Sequence, residues 1–144
     1  MTESTKMAEL VMSNPNLMLT LSRFGIELGF CDHSVKEVCT KAGINPAFFL
    51  LVCNIYINQD YIPSENEIQS VDINSILTYL SNSHKYYVEE RIPHIELHLE
   101  RIIKACPNKF GNTINRFFAE YKKEVANHFC YEEFTVFPYI NSLA

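Results

Sequence analysis

The chain has 144 residues, 47% of them hydrophobic and 12% aromatic, enough for one medium domain or two small ones with a real core. Its net charge of −5, with no stripe of Lys or Arg, argues against a sequence-independent phosphate-binding surface, so nucleic acid is not an expected partner. The first residues hold no apolar run with a small-residue cleavage site, and no stretch is long and apolar enough for a membrane span; the sequence reads as cytoplasmic. Cys31, Cys39, Cys53, Cys106 and Cys130 are odd in number and lack CxxC spacing, which points to reduced thiols rather than a disulfide framework or a zinc knuckle.

Residues 1–7 are polar and are expected to fray. A small helical domain is predicted over 1–58, its elements starting at about Ala8. Asn14-Pro15 starts a helix bearing Leu17, Leu21 and Phe24, which Gly25 ends. Ser34 with Glu37 forms a capping box for a short helix stopping at Gly43, and Asn45-Pro46 caps the next, through Phe49, Leu50 and Cys53. The stretch 59–71, polar and containing Pro63, reads as a linker. Two long helices are predicted over 72–144. Asp72 caps the first, Ile73 to Ala105, which Pro93 should kink. A turn over Pro107 to Gly111 leads into the second, Asn112 to Asn141, and so short a connection makes an antiparallel hairpin.

Both long helices carry apolar stripes interrupted by metal-ligand side chains. The first runs Ile73, Leu77, Leu80, His84, Val88, Ile95, Leu99, Ile102, with a skipped position near Pro93; the second runs Ile114, Phe117, Phe118, Tyr121, Val125, His128, Glu132, Val136, Tyr139. His84 lies 22 residues before a turn beginning at 106, and Glu132 lies 22 residues after a second helix beginning at 110, so the two should be level. His128 lies one turn nearer the tip, roughly 6 Å along the axis. A lone histidine on an apolar face is commonly a hydrogen-bonded core residue. A buried carboxylate, however, is costly unless paired or bound to a cation, and the three residues at matched depth favour a metal. One hairpin offers too few ligands for a closed site. Two copies related by a twofold axis would make a four-helix bundle holding four His and two Glu, a set suited to a carboxylate-bridged di-iron centre. Glu133 should point about 100° away from Glu132, into solvent. His94 and His98, roughly 15 and 21 Å from His84 along the helix, cannot share its site and read as a solvated face, with an exposed, adventitious metal pair as the alternative. Cys106 is further away still.

The segments HKYYVEERIP (84–93) and HFCYEEFTVFP (128–138) resemble the first-helix and second-helix motifs of the hemerythrin-like (HHE) proteins, the latter as His-x-x-x-Glu-Glu-x-x-x-Phe-Pro. SNPNLMLTLSRFGIELGF (13–30) resembles the small helical domain that precedes the bundle in the iron–sulfur cluster repair di-iron (RIC) proteins. The resemblance covers nearly the whole chain. It implies that His84, His128 and Glu132 are metal ligands, with Glu132 the bridging carboxylate. Members of the family commonly have two further helices with another His and another His-x-x-x-Glu; either two chains supply what one commonly does, or the sequence is a truncated form. Adjacent cysteines, common in the family's N-terminal domain, are replaced here by Gly29-Phe30, with Cys31 beside them, which puts a thiol role in iron delivery in doubt.

The expectation is an all-α protein: a small N-terminal helical domain and an antiparallel hairpin forming half of a hemerythrin-like four-helix bundle, completed by dimerisation. The resemblance implies non-haem di-iron binding in repair of iron–sulfur clusters or in nitric oxide and oxidative stress, as a metal-binding repair protein rather than an enzyme with an organic substrate. Iron is the expected metal, with zinc or manganese also fitting such ligands. The expected partners are a second copy and iron–sulfur proteins. The alternatives are a metal- or gas-sensing interaction module and a metal-free helical dimerisation domain.

Overall fold

Side-chain caps set several helix starts, though not those of the first two helices, in the computed structural model, which describes residues 1–105 and 110–143. The helices are α1 (Met7–Ser13), α2 (Leu17–Arg23), α3 (Val35–Lys41), α4 (Pro46–Ile57), α5 (Glu65–Gln69), α6 (Ile73–Tyr86), α7 (Ile92–Ala105), α8 (Phe110–Tyr131) and α9 (Phe137–Leu143). A π-turn, Tyr87–Arg91, joins α6 to α7, and a second, Glu132–Val136, joins α8 to α9. The architecture is all-α, with no strand among the described residues. No single helix among them is long and apolar enough to cross a membrane.

The Ser34 hydroxyl accepts from the Glu37 backbone N–H at 3.3 Å while the Glu37 carboxylate accepts from the Ser34 N–H at 2.8 Å, the reciprocal pair expected of that sequence. The Asn45 side chain accepts from the Ala47 N–H at 2.8 Å with Pro46 in the first turn, where its missing donor is harmless. Asp72 accepts from the Ser75 N–H at 3.0 Å at the start of α6. The stretch 59–71, expected as a linker, holds α5, fastened by a second capping box between Ser64 and Glu67. The opening residues do not fray. Met7 donates to His33 O, Val35 to Thr5 O and Lys36 to Glu3 O, so backbone pairing ties the start of the chain to the entrance of α3, and Met7 is fully buried.

By its contacts the chain divides into two compact units, Met1–Asn82 and Ser83–Ala144, the division falling within α6. The first unit has one core, in which Met7, Leu17, Leu21, Val35, Cys39, Phe49 and Cys53 are essentially inaccessible. Phe24 gathers an aromatic group around it, with ring centroids 5.5 Å from Phe48, 5.2 Å from Phe49 and 4.6 Å from Tyr79.

The second unit is an antiparallel hairpin. Lys122 pairs with Glu96 at 2.5 Å, and the hydroxyls of Tyr87 and Tyr121 meet at 2.5 Å. Gly111 lets the helices approach closely, because a Cβ there would lie 3.0 Å from Ile103 Cγ2. The turn expected over 107–111 falls mostly outside the described residues, as does Cys106; Gly111 belongs to α8.

The skipped position near Pro93 has a cause in the backbone. Ile92 donates to Tyr87 O and Phe137 donates to Glu132 O, each five residues back, and each is followed at once by a proline, Pro93 or Pro138. A proline ring in a regular helix clashes with the carbonyl four residues earlier, and a widened π-turn relieves that clash. The apolar stripes are only partly covered. Of the stripe residues in this unit Phe118 is buried while Val88, Ile102, Phe117 and Tyr139 are exposed, and the other buried positions, Ile92 and Phe137, lie outside the stripes, at the ends of the two π-turns.

Candidate metal centre

The two π-turns lie at the height of the expected ligands, one beginning three residues after His84 and the other beginning at Glu132 itself. Across the hairpin, His84 Nε2 and Glu132 Oε2 are 3.0 Å apart, so these residues are level, as counting along the helices requires. The other oxygen of the same carboxylate, Oε1, is 3.3 Å from His128 Nε2. Glu132 therefore stands between two imidazoles, one on each oxygen, and is not the unpaired carboxylate that the stripe pattern implies for a metal-free chain.

His84 is the best-held member of the group, with its side chain 13% exposed. Its ring lies nearly parallel to those of Phe129, centroids 4.0 Å apart, and Phe137, 5.7 Å apart, with interplanar angles of 13° and 12°. Such stacking confines the ring to one plane and aims both nitrogens along it. Glu132, 30% exposed, lies at the edge of this packed region.

Two placements differ from the sequence reading. His128 is 64% exposed, so it stands at the rim of the hairpin and not in a core. Glu133, expected in solvent, has Oε1 2.8 Å from His84 Nδ1 and is 33% exposed. The π-turn is the reason: five-residue hydrogen bonding widens the turn, so the separation assumed for neighbours on a regular helix does not hold and both carboxylates reach the same ring. No motif spacing announces this, although a proline six residues after Glu132 is a signal that the helix is not regular there.

His94 and His98 are exposed on α7, in keeping with a solvated face, and take no part in the group around Glu132. Among the described residues no set of three or more His, Cys, Asp or Glu side chains is arranged to hold a metal ion. His84, Glu132 and His128 thus form a chain of contacts through one carboxylate, with the donor types of an iron or zinc site but too few donors to enclose an ion. Compared with known proteins, the chain matches no family model, no curated protein and no solved structure.

Proposed function

We propose that the hairpin binds non-haem iron through His84, His128 and Glu132, as half of a di-iron site completed by a second copy of the chain, and that the protein acts in repair of iron–sulfur clusters or in nitric oxide and oxidative stress. The observation that carries this reading is the position of Glu132, which offers a different oxygen to each of two imidazole nitrogens. A bridging carboxylate needs that disposition. A neutral imidazole carries hydrogen on one nitrogen only. With Glu133 against Nδ1 and Glu132 against Nε2, both contacts are satisfied by an imidazolium that donates from each nitrogen, or by a neutral ring that donates from Nδ1 to Glu133 and shares a cation with Glu132 at Nε2; in the proposed site the second arrangement holds. Bound iron would supply redox chemistry or be donated as cargo, while His84, His128 and Glu132 hold it and Glu133 orients His84. Zinc and manganese suit the same donors, and affinity order alone does not select iron.

A second copy is supported by what a single hairpin leaves uncovered, including Phe117, Phe134 and Tyr139. Two copies would also double the donor set. The reading is tested by iron content and molecular mass of protein purified without added metal. About two irons per dimer, lost in His84→Ala, His128→Ala and Glu132→Ala, is the expected result, and stripping the metal should weaken the dimer through linkage. Equal metal in all variants would sink the ligand assignment. Restoration of a damaged iron–sulfur enzyme by the iron-loaded protein separates repair from a sensing role.

A further inference from the structure

His94 and His98 lie one turn apart on the exposed side of α7, and their Nε2 atoms face each other at 3.3 Å, with ring centroids 4.6 Å apart and planes at 81°. In the metal-free chain one Nε2–H donates to the other Nε2. That separation is what two imidazoles sharing a cation require: an ion at about 2.0–2.1 Å from each nitrogen would subtend roughly 107°, near the tetrahedral angle. We propose that His94 and His98 form a second, solvent-open site for a late first-row dication, Cu²⁺, Ni²⁺ or Zn²⁺. Neutral imidazoles keep one hydrogen each on binding. The hydrogen on Nε2 moves to Nδ1 through solvent, both Nε2 lone pairs turn to the ion, and no proton is gained or lost.

Two features set its character. Imidazole nitrogen suits copper, nickel and zinc over magnesium, calcium and manganese, which prefer oxygen, and affinity should follow copper above nickel and zinc. Among the described residues no third His, Cys, Asp or Glu completes the set. Water or a small exogenous ligand therefore takes the remaining positions, and binding is far weaker than at a closed structural site. The helix provides the chelate. Residues four apart on an α-helix are neighbours, so once one imidazole has bound, the other finds the ion intramolecularly. This site does not rest on the reading of His84, which is roughly 15 Å or more away along the helix axis.

The test is a Cu²⁺ titration of the full chain, followed by visible absorption and by nitrogen hyperfine structure in electron paramagnetic resonance. Wild-type protein should bind one more equivalent than His94→Ala/His98→Ala, with two nitrogens in the spectrum, and His84→Ala/His128→Ala should retain that equivalent. His98→Ala alone should weaken this equivalent about tenfold or more, because the chelate is lost. Both positions are exposed, and unchanged helicity by circular dichroism establishes that the variants fold. An undiminished copper count in the double variant would overturn the proposal, as would a loss of no more than about twofold in His98→Ala.

Discussion

Glu133 and His84 meet across the hairpin at 2.8 Å, carboxylate Oε1 to imidazole Nδ1, while the neighbouring Glu132 takes the opposite nitrogen of the same ring. Two consecutive acidic residues thus clamp one histidine. If the ring takes a cation through Nε2, as proposed, Glu133 fixes it from behind. Carboxylates in that position orient a ligating histidine and raise its basicity, and their loss typically costs about 10–100-fold in metal affinity.

On the proposed function, Glu133→Ala should weaken iron binding by about that factor while leaving the number of bound irons unchanged, and Glu133→Gln should lose less because its amide oxygen still accepts from Nδ1–H. Equilibrium dialysis against a chelator series measures both. Affinity equal to wild type in Glu133→Ala would show that the contact does not position the ring. In the metal-free protein the same substitution should change stability by no more than about 1 kcal/mol, since the pair is partly exposed.

Among the described residues the four thiols should fall into two classes. Burial pushes Cys39 and Cys53 up to about 12 from an ordinary value of 9.0, whereas Cys31 and Cys130 are exposed and free. The thiolate is the reactive form. At pH 8, an aromatic disulfide reagent should modify Cys31 and Cys130 rapidly and Cys39 and Cys53 only as fast as the first unit opens. The linkage runs the same way: below pH 9 both states keep these protons and stability is intact, and between about 9 and 12 only the unfolded chain loses them, so stability falls as pH rises. Cys39→Ala/Cys53→Ala should flatten that alkaline decline, which denaturation curves at stepped pH would reveal. Rapid modification of all four in native protein would contradict the packing described.

Glu67 should govern part of the acid limb. Hydrogen bonds from the Ser64 hydroxyl, from Tyr61 and from the Ser64 backbone hold its carboxyl down to about 2, against an ordinary 4.5. A carboxylate with a depressed folded value contributes stability above its unfolded value, and that contribution disappears as pH falls through the folded one. Glu67→Gln should thus be less stable than wild type at pH 6, and the gap should close between about 4.5 and 2. A gap independent of pH would mean that the cap acts by shape and not by charge.

Thr20 offers a stabilising change. It is fully buried in the first unit, and its hydroxyl has no hydrogen-bond partner among the described residues. A buried hydroxyl without a partner costs about 1–3 kcal/mol, while valine has nearly the same shape. Thr20→Val should raise stability by about 1 kcal/mol, read from the urea midpoint at unchanged slope. A lower midpoint would indicate that the hydroxyl is bonded after all.

Much of the fold was legible because its signals are local. Asp72, Ser34 and Asn45 cap the helices that their side chains imply, and the first long helical stretch runs from Ile73 to Ala105 as expected. The pairing of His84 with Glu132 was legible too, since counting from a short connection needs only the helical rise. Other features were hidden for physical reasons. The tie between the first residues and α3 is made by backbone groups, which every sequence possesses, and the Ser64/Glu67 signature of α5 sat within polar, proline-containing surroundings that read as a linker. The exposure of His128 depends on a covering layer that one hairpin lacks. Glu133 was misplaced because constant helical steps were assumed across a turn that is not α-helical.

Each π-turn behaves, in the language of inheritance, as a one-residue insertion in an otherwise regular helix. Deleting one residue from 87–91 would remove the extra residue and let the segment close as an ordinary α-turn, so Glu96 and Ile103 would keep their faces toward Lys122 and Gly111, while Pro93 would lose the widened turn that relieves its clash with the carbonyl four residues back. Each extra residue is therefore tied to the proline that follows it, Pro93 or Pro138, and not to the register of the helix beyond. A one-residue deletion from 88–91 should cost helicity while Pro93 is present and far less in Pro93→Ala, which circular dichroism would measure.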